Sequence, residues 1–374
     1  MKILIVGGGV AGLAIGWRLA ESGCEVEILE RGLAGRASSW AAAGMLAATA
    51  ETGNSESAHA RLARAGRAAW PEFAARVQSI SEKNIGYREC GALLIAQTMD
   101  RAAHLKSVAE TLAAKGEAAR WLTPDEAVAR EPLLGAEFRG ALYAPDDSQV
   151  DNRLLSEALA EAFAKSGGTL RENCDVHALE TKSGRVGGVK TSDGSLAADK
   201  VVIAAGAWSS SIGGIESGIL PPVRPAKGQM TALAPVDGAP MPNGLIWGEE
   251  IVYLVPRTNT LLVGATVEDT GFETSVSRDA RDDLIARATR LIPSLKDWRV
   301  VESWAGLRPR TSDDSPVLGE TAINGLYVAS GQYRNGILFA PVIAEMMCDA
   351  VMGRDPDKLF REFSPSRFLE SVEN

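Results

Sequence analysis

The chain opens on a change of hydrophobic period. Residues 2–6 form a short apolar, β-branched run, glycines follow, and residues 11–22 carry apolar side chains at helical spacing before a second run at 25–29. That pattern predicts strand, helix, strand. Between about 58 and 130 the chain is rich in alanine, arginine and glutamate with helical periodicity around one strand at 91–96, which predicts an inserted, mostly helical region. A helix is predicted at 150–166, and short strands alternate with turns through 167–205, among them Lys182-Ser183-Gly184 and Ser192-Asp193-Gly194. The run at 201–206 has the continuous apolar character of a strand buried on both faces. Strand-rich sequence at 223–267, with candidates at 230–233, 252–255 and 261–265, points to an antiparallel sheet. The C-terminal part returns to α/β with a strand at 326–329 and a helix at 337–352. The expected class is mixed α/β (α+β), with a Rossmann-type domain interleaved with an antiparallel-sheet domain.

Bulk properties narrow the partners. At 374 residues the chain has room for two domains. A net charge of −9 without a basic run argues against nucleic acid. Cys24, Cys90, Cys174 and Cys348 stand far apart with no C-x-x-C pair, which disfavours a disulfide framework and a metal site and fits a reducing, cytoplasmic setting. The apolar start is broken by glycines and followed by an acidic strand end, so it reads as mature structure rather than a signal peptide. No stretch reaches the ~18 apolar residues that a membrane span requires.

The first chemical motif is a dinucleotide cradle. Gly7, Gly9 and Gly12 satisfy G-x-G-x-x-G between the first strand and the first helix. Gly7 makes the tight turn, Gly9 lets the backbone approach a pyrophosphate with Val10 and Ala11 beside it, and Gly12 allows helix to pack on strand; the helix N-terminus favours the anion. Glu30, 18 positions past Gly12, ends the second strand, where its carboxylate can accept from ribose hydroxyls and repel a 2′-phosphate. The cradle alone does not separate NAD from FAD. The small-residue run at 35–46 lets backbone amides approach a flat ring, and it also reads as an alanine-rich helix start.

Together these segments resemble the D-amino-acid oxidase family of flavoenzymes, most closely its glycine oxidase branch, the enzyme of thiamine biosynthesis. The resemblance spans nearly the whole chain. It rests on the cradle, Glu30, the segment at 38–46, Val201-Val202-Ile203-Ala204-Ala205-Gly206-Ala207-Trp208-Ser209 and Pro225-Ala226-Lys227-Gly228-Gln229. It continues through Tyr253-Leu254-Val255-Pro256-Arg257, Val263-Gly264-Ala265-Thr266, Gly306-Leu307-Arg308-Pro309 and Gly331-Gln332-Tyr333-Arg334-Asn335-Gly336-Ile337-Leu338.

The resemblance implies an FAD domain at 1–80, 145–215 and 300–374 and a substrate domain at 81–144 and 216–299, with the isoalloxazine ring at their interface. It implies cofactor contacts from Gly7, Gly9, Val10, Ala11, Gly12, Glu30, Arg31, Ser38, Ser39, Ala43, Gly44, Met45, Ala205, Gly206 and Trp208. Gly331, Arg334, Asn335, Gly336, Ile337 and Leu338 complete that set. Near relatives hold flavin through a cysteine; the segment at 307–311 offers no thiol, so non-covalent FAD is expected. Arg308 is the expected anchor for a substrate carboxylate, because a guanidinium fork matches that group bidentately. Tyr253 is expected to donate to the same carboxylate, and Arg334 to contact substrate or the pyrimidine edge of the flavin. His59, His104 and His177 are expected to be structural or exposed.

The implied activity is oxidation of a small amine or amino acid (glycine, sarcosine or a D-amino acid) by hydride transfer, giving an imine and, with O₂ as acceptor, H₂O₂. Two alternatives stand beside it: a dehydrogenase that passes electrons to a quinone or partner flavoprotein, and a non-catalytic flavin-binding subunit. The resemblance further implies a homo-oligomer. Gln332 stands where a histidine is expected and Arg310 where a glycine is more usual, and both departures bear on the substrate.

Overall fold

The computed structural model describes every residue except 136, 217, 237, 356 and 369–374. Two large sheets organise it. The first has six strands in the order Val317–Glu320, Leu326–Ser330, Lys200–Ile203, Lys2–Val6, Glu25–Leu29, Thr169–Arg171. All its pairs are parallel except the one between Val317–Glu320 and Leu326–Ser330. Such a sheet needs cover on both faces, and the continuous apolar strands supply the surface to be covered.

Helices Val10–Glu21, Ala58–Ser81, Asn152–Lys165 and Gly336–Val351 provide one layer. Their shared core buries Trp17, Trp70, Phe163 and Phe339 completely. Burying one large apolar side chain contributes ~2 kcal/mol, so this layer holds the first strand-turn-helix rigidly. Caps fix the helix starts: Ser57 Oγ accepts from Ala60 N at 3.2 Å, and Asp151 accepts from Arg153 N and Leu154 N. On the opposite face, Val176–Lys182, Arg185–Thr191 and Gly194–Ala197 form a small antiparallel sheet whose valines and leucines join Leu4, Val201 and Val328 in a second core.

The second large sheet has eight strands in the order Arg299–Arg310, Arg224–Ala234, Leu261–Gly264, Tyr253–Pro256, Leu245–Trp247, Ala92–Ala96, Gly140–Ala144, Arg120–Leu122. It is antiparallel apart from one parallel pair, Leu245–Trp247 with Ala92–Ala96, so the strands at 223–267 pair antiparallel as expected and the sheet extends beyond them. The reason is that the inserted region at 58–130 contributes not only helices but also strands to this sheet. Strand Arg299–Arg310 pairs with Arg224–Ala234 along its whole length, so a division drawn at 300 falls at the start of a strand that belongs to the eight-stranded sheet. That pairing matters for the site: it carries Arg308 to the edge where the two sheets face the same cavity.

Candidate active site

A cavity of about 430 Å³ runs from the first turn of the six-stranded sheet to the face of the eight-stranded one. At one end, Gly7 has φ of 109°, and a Cβ there would lie 2.5 Å from the Ala204 carbonyl oxygen. A Cβ at Gly12 would lie 2.0 Å from the Gly7 oxygen, so the turn closes only with glycine at both places. Gly9 caps the following helix with no side chain of its own, Val10 N donates to Ser39 Oγ at 2.9 Å, and the first turn holds no acidic residue. These features suit a pyrophosphate, which supplies the acceptors and the negative charge that a helix N-terminus favours.

Glu30 lines the cavity and closes the cradle from the second strand. Its carboxylate accepts from Gly8 N at 2.7 Å and Gly32 N at 2.9 Å, which fixes its oxygens beside the turn. Arg31 lies over the Trp208 ring at 3.8 Å, and Trp208 stacks on Phe272 with centroids 5.6 Å apart. An aromatic and cationic wall of this kind suits the adenosine half of a dinucleotide.

The small-residue run lies along the cavity as expected of a surface for a flat ring. Ser38, Ser39, Ala43, Gly44 and Met45 all line it. Its backbone is held by two polar side chains, the buried Asn152 and the partly buried Arg257. Asn152 Nδ2 donates to the carbonyls of Ser39 and Trp40 at 2.8 and 2.9 Å. Arg257 donates to Ala43 O at 2.7 Å, Val150 O at 3.0 Å and Gln149 Oε1 at 2.7 Å. Burial lowers the Arg257 pKa to about 10, which leaves it charged at neutral pH. Arg257 closes the motif segment that begins at Tyr253, but the sequence reveals neither its role nor that of Asn152, because both act on backbone carbonyls distant along the chain.

Across the cavity, Arg308 and Tyr253 stand together. Arg308 Nη1 donates to Thr266 O at 3.0 Å and more weakly to Lys227 O at 3.4 Å, and the guanidinium also faces the Tyr253 hydroxyl. The guanidinium lies against the Cα of Gly228: a Cβ there would approach Nη1, Nη2 and Cζ to 2.3–2.5 Å. That close approach explains the glycine of the Lys227-Gly228-Gln229 triplet. The Tyr253 ring packs on Trp247 at 5.4 Å, and its hydroxyl lies 3.7 Å from Met230 Sδ. Burial raises the Tyr253 pKa against the opposing pull of Arg308, so the phenol keeps its proton and remains a donor.

Arg334, expected to contact substrate or the flavin, is ion-paired within the chain. It lines the cavity, yet its guanidinium is bonded to Glu51, a nearly buried carboxylate on the short helix Ala48–Thr52. Its charge is thus compensated within the chain. Glu51 carries no local signal in the sequence, because its partner lies 283 positions away. Asp147, fully buried, accepts from Thr49 N at 3.0 Å and Ala50 N at 2.9 Å and so fixes the helix that carries Glu51. Burial pushes its pKa up to about 7 despite those hydrogen bonds.

Of the other expected contacts, Val10, Ala11, Ala205, Gly206, Asn335, Gly336 and Ile337 line the cavity. Three do not. Gly12 packs beneath the turn, Gly331 packs against Thr311, and Leu338 faces helix Ala58–Ser81, where its carbonyl accepts from Trp70 Nε1 at 3.0 Å. Leu338 follows Ile337 by one helical step of about 100°, which turns it away. Arg310 does not line the cavity; it pairs with Asp314 at 2.6 Å and lies over the ring of Tyr333, which does. Gln332 does line it, buried, with Nε2 lacking a hydrogen-bond partner. Among the histidines, His104 is exposed, His59 bonds Asn335 at 2.9 Å, and His177 lies on the cavity wall near Asp175. The described residues contain no cluster suited to a metal ion.

A nucleotide-binding turn and helix, a ring-sized surface of small residues and a cationic, tyrosine-bearing wall define a flavoprotein of the two-sheet oxidoreductase class. The chain belongs to the family described as FAD dependent oxidoreductase, whose model matches residues 2–350. Its cofactor is FAD. It is 38% identical to a glycine oxidase of Geobacillus kaustophilus, over 99% of this chain and 98% of that protein. A bifunctional ThiO/ThiG protein of Synechocystis is 36% identical over 99% of this chain, which spans 54% of that longer protein. The crystal structure of the Geobacillus kaustophilus glycine oxidase superposes with a TM-score of 0.92 at 36% identity, covering 98% of this chain and 99% of that one. An iminodiacetate oxidase from Chelativorans superposes with a TM-score of 0.87 at 27% identity, covering 97% and 98%. No helix among the described residues is long and apolar enough to cross a membrane.

Proposed function

We propose that this enzyme oxidises a small amino acid, with glycine and sarcosine as the leading substrates, to the imine, with O₂ as acceptor and H₂O₂ as second product. The kinship with glycine oxidases supports the reaction class. The observation that carries the substrate class is the Arg308–Tyr253 wall: a fixed guanidinium beside a protonated phenol suits one carboxylate. Tyr253 supplies a neutral hydrogen bond and Arg308 the charge-assisted pair, and together they fix the plane of the carboxylate and so the direction of Cα. Bound FAD supplies the two-electron acceptor for the Cα hydrogen.

The residues at the cavity support a division of labour. The 7–12 turn and Glu30 hold the adenosine diphosphate part, Ser38 through Met45 and the turn at 332–337 hold the ring, and Arg334, neutralised by Glu51, shapes the site rather than adding charge. FAD is held without a covalent bond in this reading, since Leu307, Pro309, Arg310 and Thr311 around Arg308 carry no thiol. The four cysteines are free, which supports a cytoplasmic setting. The family likeness supports a homo-oligomer and a flavin domain built on the six-stranded sheet.

The test is an anaerobic screen of the yellow holoenzyme against glycine, sarcosine and small D- and L-amino acids. Bleaching by glycine or sarcosine, followed by recolouring and peroxide on admission of air, is expected. A protein that takes up no FAD, or that no amino acid bleaches, overturns the proposal. Bleaching that only a quinone reverses makes it a dehydrogenase.

A further inference from the structure

Lys227 is almost fully buried, which is costly for an ammonium unless carboxylates surround it. Here they do. Its Nζ lies 2.6 Å from Glu273 Oε2 and 3.6 Å from Glu268 Oε2. Both carboxylates belong to the loop at 265–277 that follows strand Leu261–Gly264 and is otherwise exposed over most of its length. Hydrogen bonding from Lys227, aided by Ser275, holds the Glu273 pKa down at about 2. For Glu268, burial acts upward, but the hydrogen bonds of Thr266 and Gln229 and the charge of Lys227 outweigh it and lower the pKa.

The loop is stitched to strand Arg224–Ala234 at its root. Lys227 N donates to Glu268 O and Glu268 N to Lys227 O, each at 2.9 Å. Gln229 N donates to Thr266 Oγ1 at 2.9 Å, Gln229 Nε2 donates to Glu268 Oε1 at 2.8 Å, and Ser277 N donates to Gln229 Oε1 at 2.7 Å. The stitched segment ends in a carbonyl at the site: Thr266 O accepts from Arg308 Nη1 at 3.0 Å. Farther along, Phe272 of the same loop stacks on Trp208 at the cradle end.

We infer that Lys227 is a positioning residue: through Glu268 and Glu273 it clasps the 265–277 loop, and the Thr266 carbonyl of that loop sets the orientation in which Arg308 receives the substrate carboxylate. The inference rests on the assignment of Arg308 as the carboxylate anchor. Without the clasp Thr266 is held only through its bonds to Gln229, and the guanidinium gains rotamers that miss the carboxylate plane. Carboxylate affinity then falls while FAD, held elsewhere, stays bound.

The test compares wild type with Glu273→Gln, Lys227→Met, Lys227→Arg and Arg308→Ala, all as FAD-loaded enzyme. Acetate, a carboxylate without an amine to oxidise, is titrated and followed by the change in the flavin absorption spectrum; KM and kcat for glycine are measured in parallel. The expected result is an acetate affinity and a glycine KM weakened about tenfold in Lys227→Met and less in Glu273→Gln. Flavin content and kcat should be near wild type, with partial rescue in Lys227→Arg. Adding Glu273→Gln to Arg308→Ala should then change nothing further. If Arg308→Ala weakens acetate but Glu273→Gln and Lys227→Met do not, the clasp is refuted. If Arg308→Ala itself leaves acetate binding intact, the assignment of Arg308 fails instead. Should Lys227→Met not fold, Glu273→Gln, at a half-exposed carboxylate, decides the matter alone.

Discussion

Gly228→Ala is the smallest change that should disturb substrate and spare cofactor. Its added Cβ would sit 2.3–2.5 Å from three atoms of the Arg308 guanidinium, where ordinary contact begins at 3.4 Å. The arginine is the far end of a flexible side chain, so it moves rather than the strand, and the displacement needed is ~1 Å. A charge-assisted hydrogen bond near 2.8 Å stretched by that amount lies outside bonding range. Losing one such bond costs about 1.5–3 kcal/mol, which is roughly 10- to 150-fold in kcat/KM. Because Gly228 is remote from the cradle, flavin content and Tm should change little. Steady-state kinetics with glycine and sarcosine, alongside the flavin spectrum and a thermal melt, check the expectation. Unaltered kcat/KM would show that the guanidinium position is irrelevant to substrate; a large fall in Tm with loss of flavin would show that Gly228 serves packing instead.

Other perturbations probe neighbouring links. Arg308→Ala should retain FAD and raise KM by up to ~100-fold, as expected if a pair worth roughly 3 kcal/mol is lost; normal kinetics would remove it from the site. Tyr253→Phe should raise KM about five- to tenfold, the value of one neutral hydrogen bond of ~1 kcal/mol or slightly more, with the flavin spectrum unchanged. Asp147 binds a proton more tightly folded, at a pKa of about 7, than unfolded, so its contribution to stability is greatest at acidic pH and declines as pH rises toward 7. Asp147→Asn should therefore gain in Tm relative to wild type between pH 5 and pH 8.5, by at most about 3 kcal/mol, since roughly 2 pH units lie between pH 5 and the folded pKa at 1.36 kcal/mol per unit; a constant difference across that range would contradict the assignment.

The opening strand, turn and helix were legible because local pattern alone determines them: Lys2–Val6 and Glu25–Leu29 lie where the apolar runs place them, and the helix starts one residue earlier than its periodicity suggested. The helix at 152–165 and the strand at 200–203 were equally visible, each to within a few residues at its ends. The eight-stranded sheet was less so. Its strands Ala92–Ala96, Arg120–Leu122 and Gly140–Ala144 are short and separated by helices, and nothing local reveals that they continue a sheet begun 150 residues later. At the site, motif residues such as Arg308 and Tyr253 were found through family likeness. Glu51, Arg257 and Lys227 acquire their roles from partners far along the chain, so spacing could not disclose what they hold. Leu338 shows the reverse error, since membership in a motif does not decide which side of a helix faces the cavity.

The most direct measurement is a crystal structure of the FAD-loaded protein with acetate bound. The predicted result has the pyrophosphate over the turn at 7–12, the ribose at Glu30, and the acetate paired with Arg308 and Tyr253 against the flavin ring. A cofactor seated elsewhere, or an Arg308 side chain turned to bulk solvent with acetate bound away from it, would contradict the placement of substrate and cofactor proposed for this enzyme.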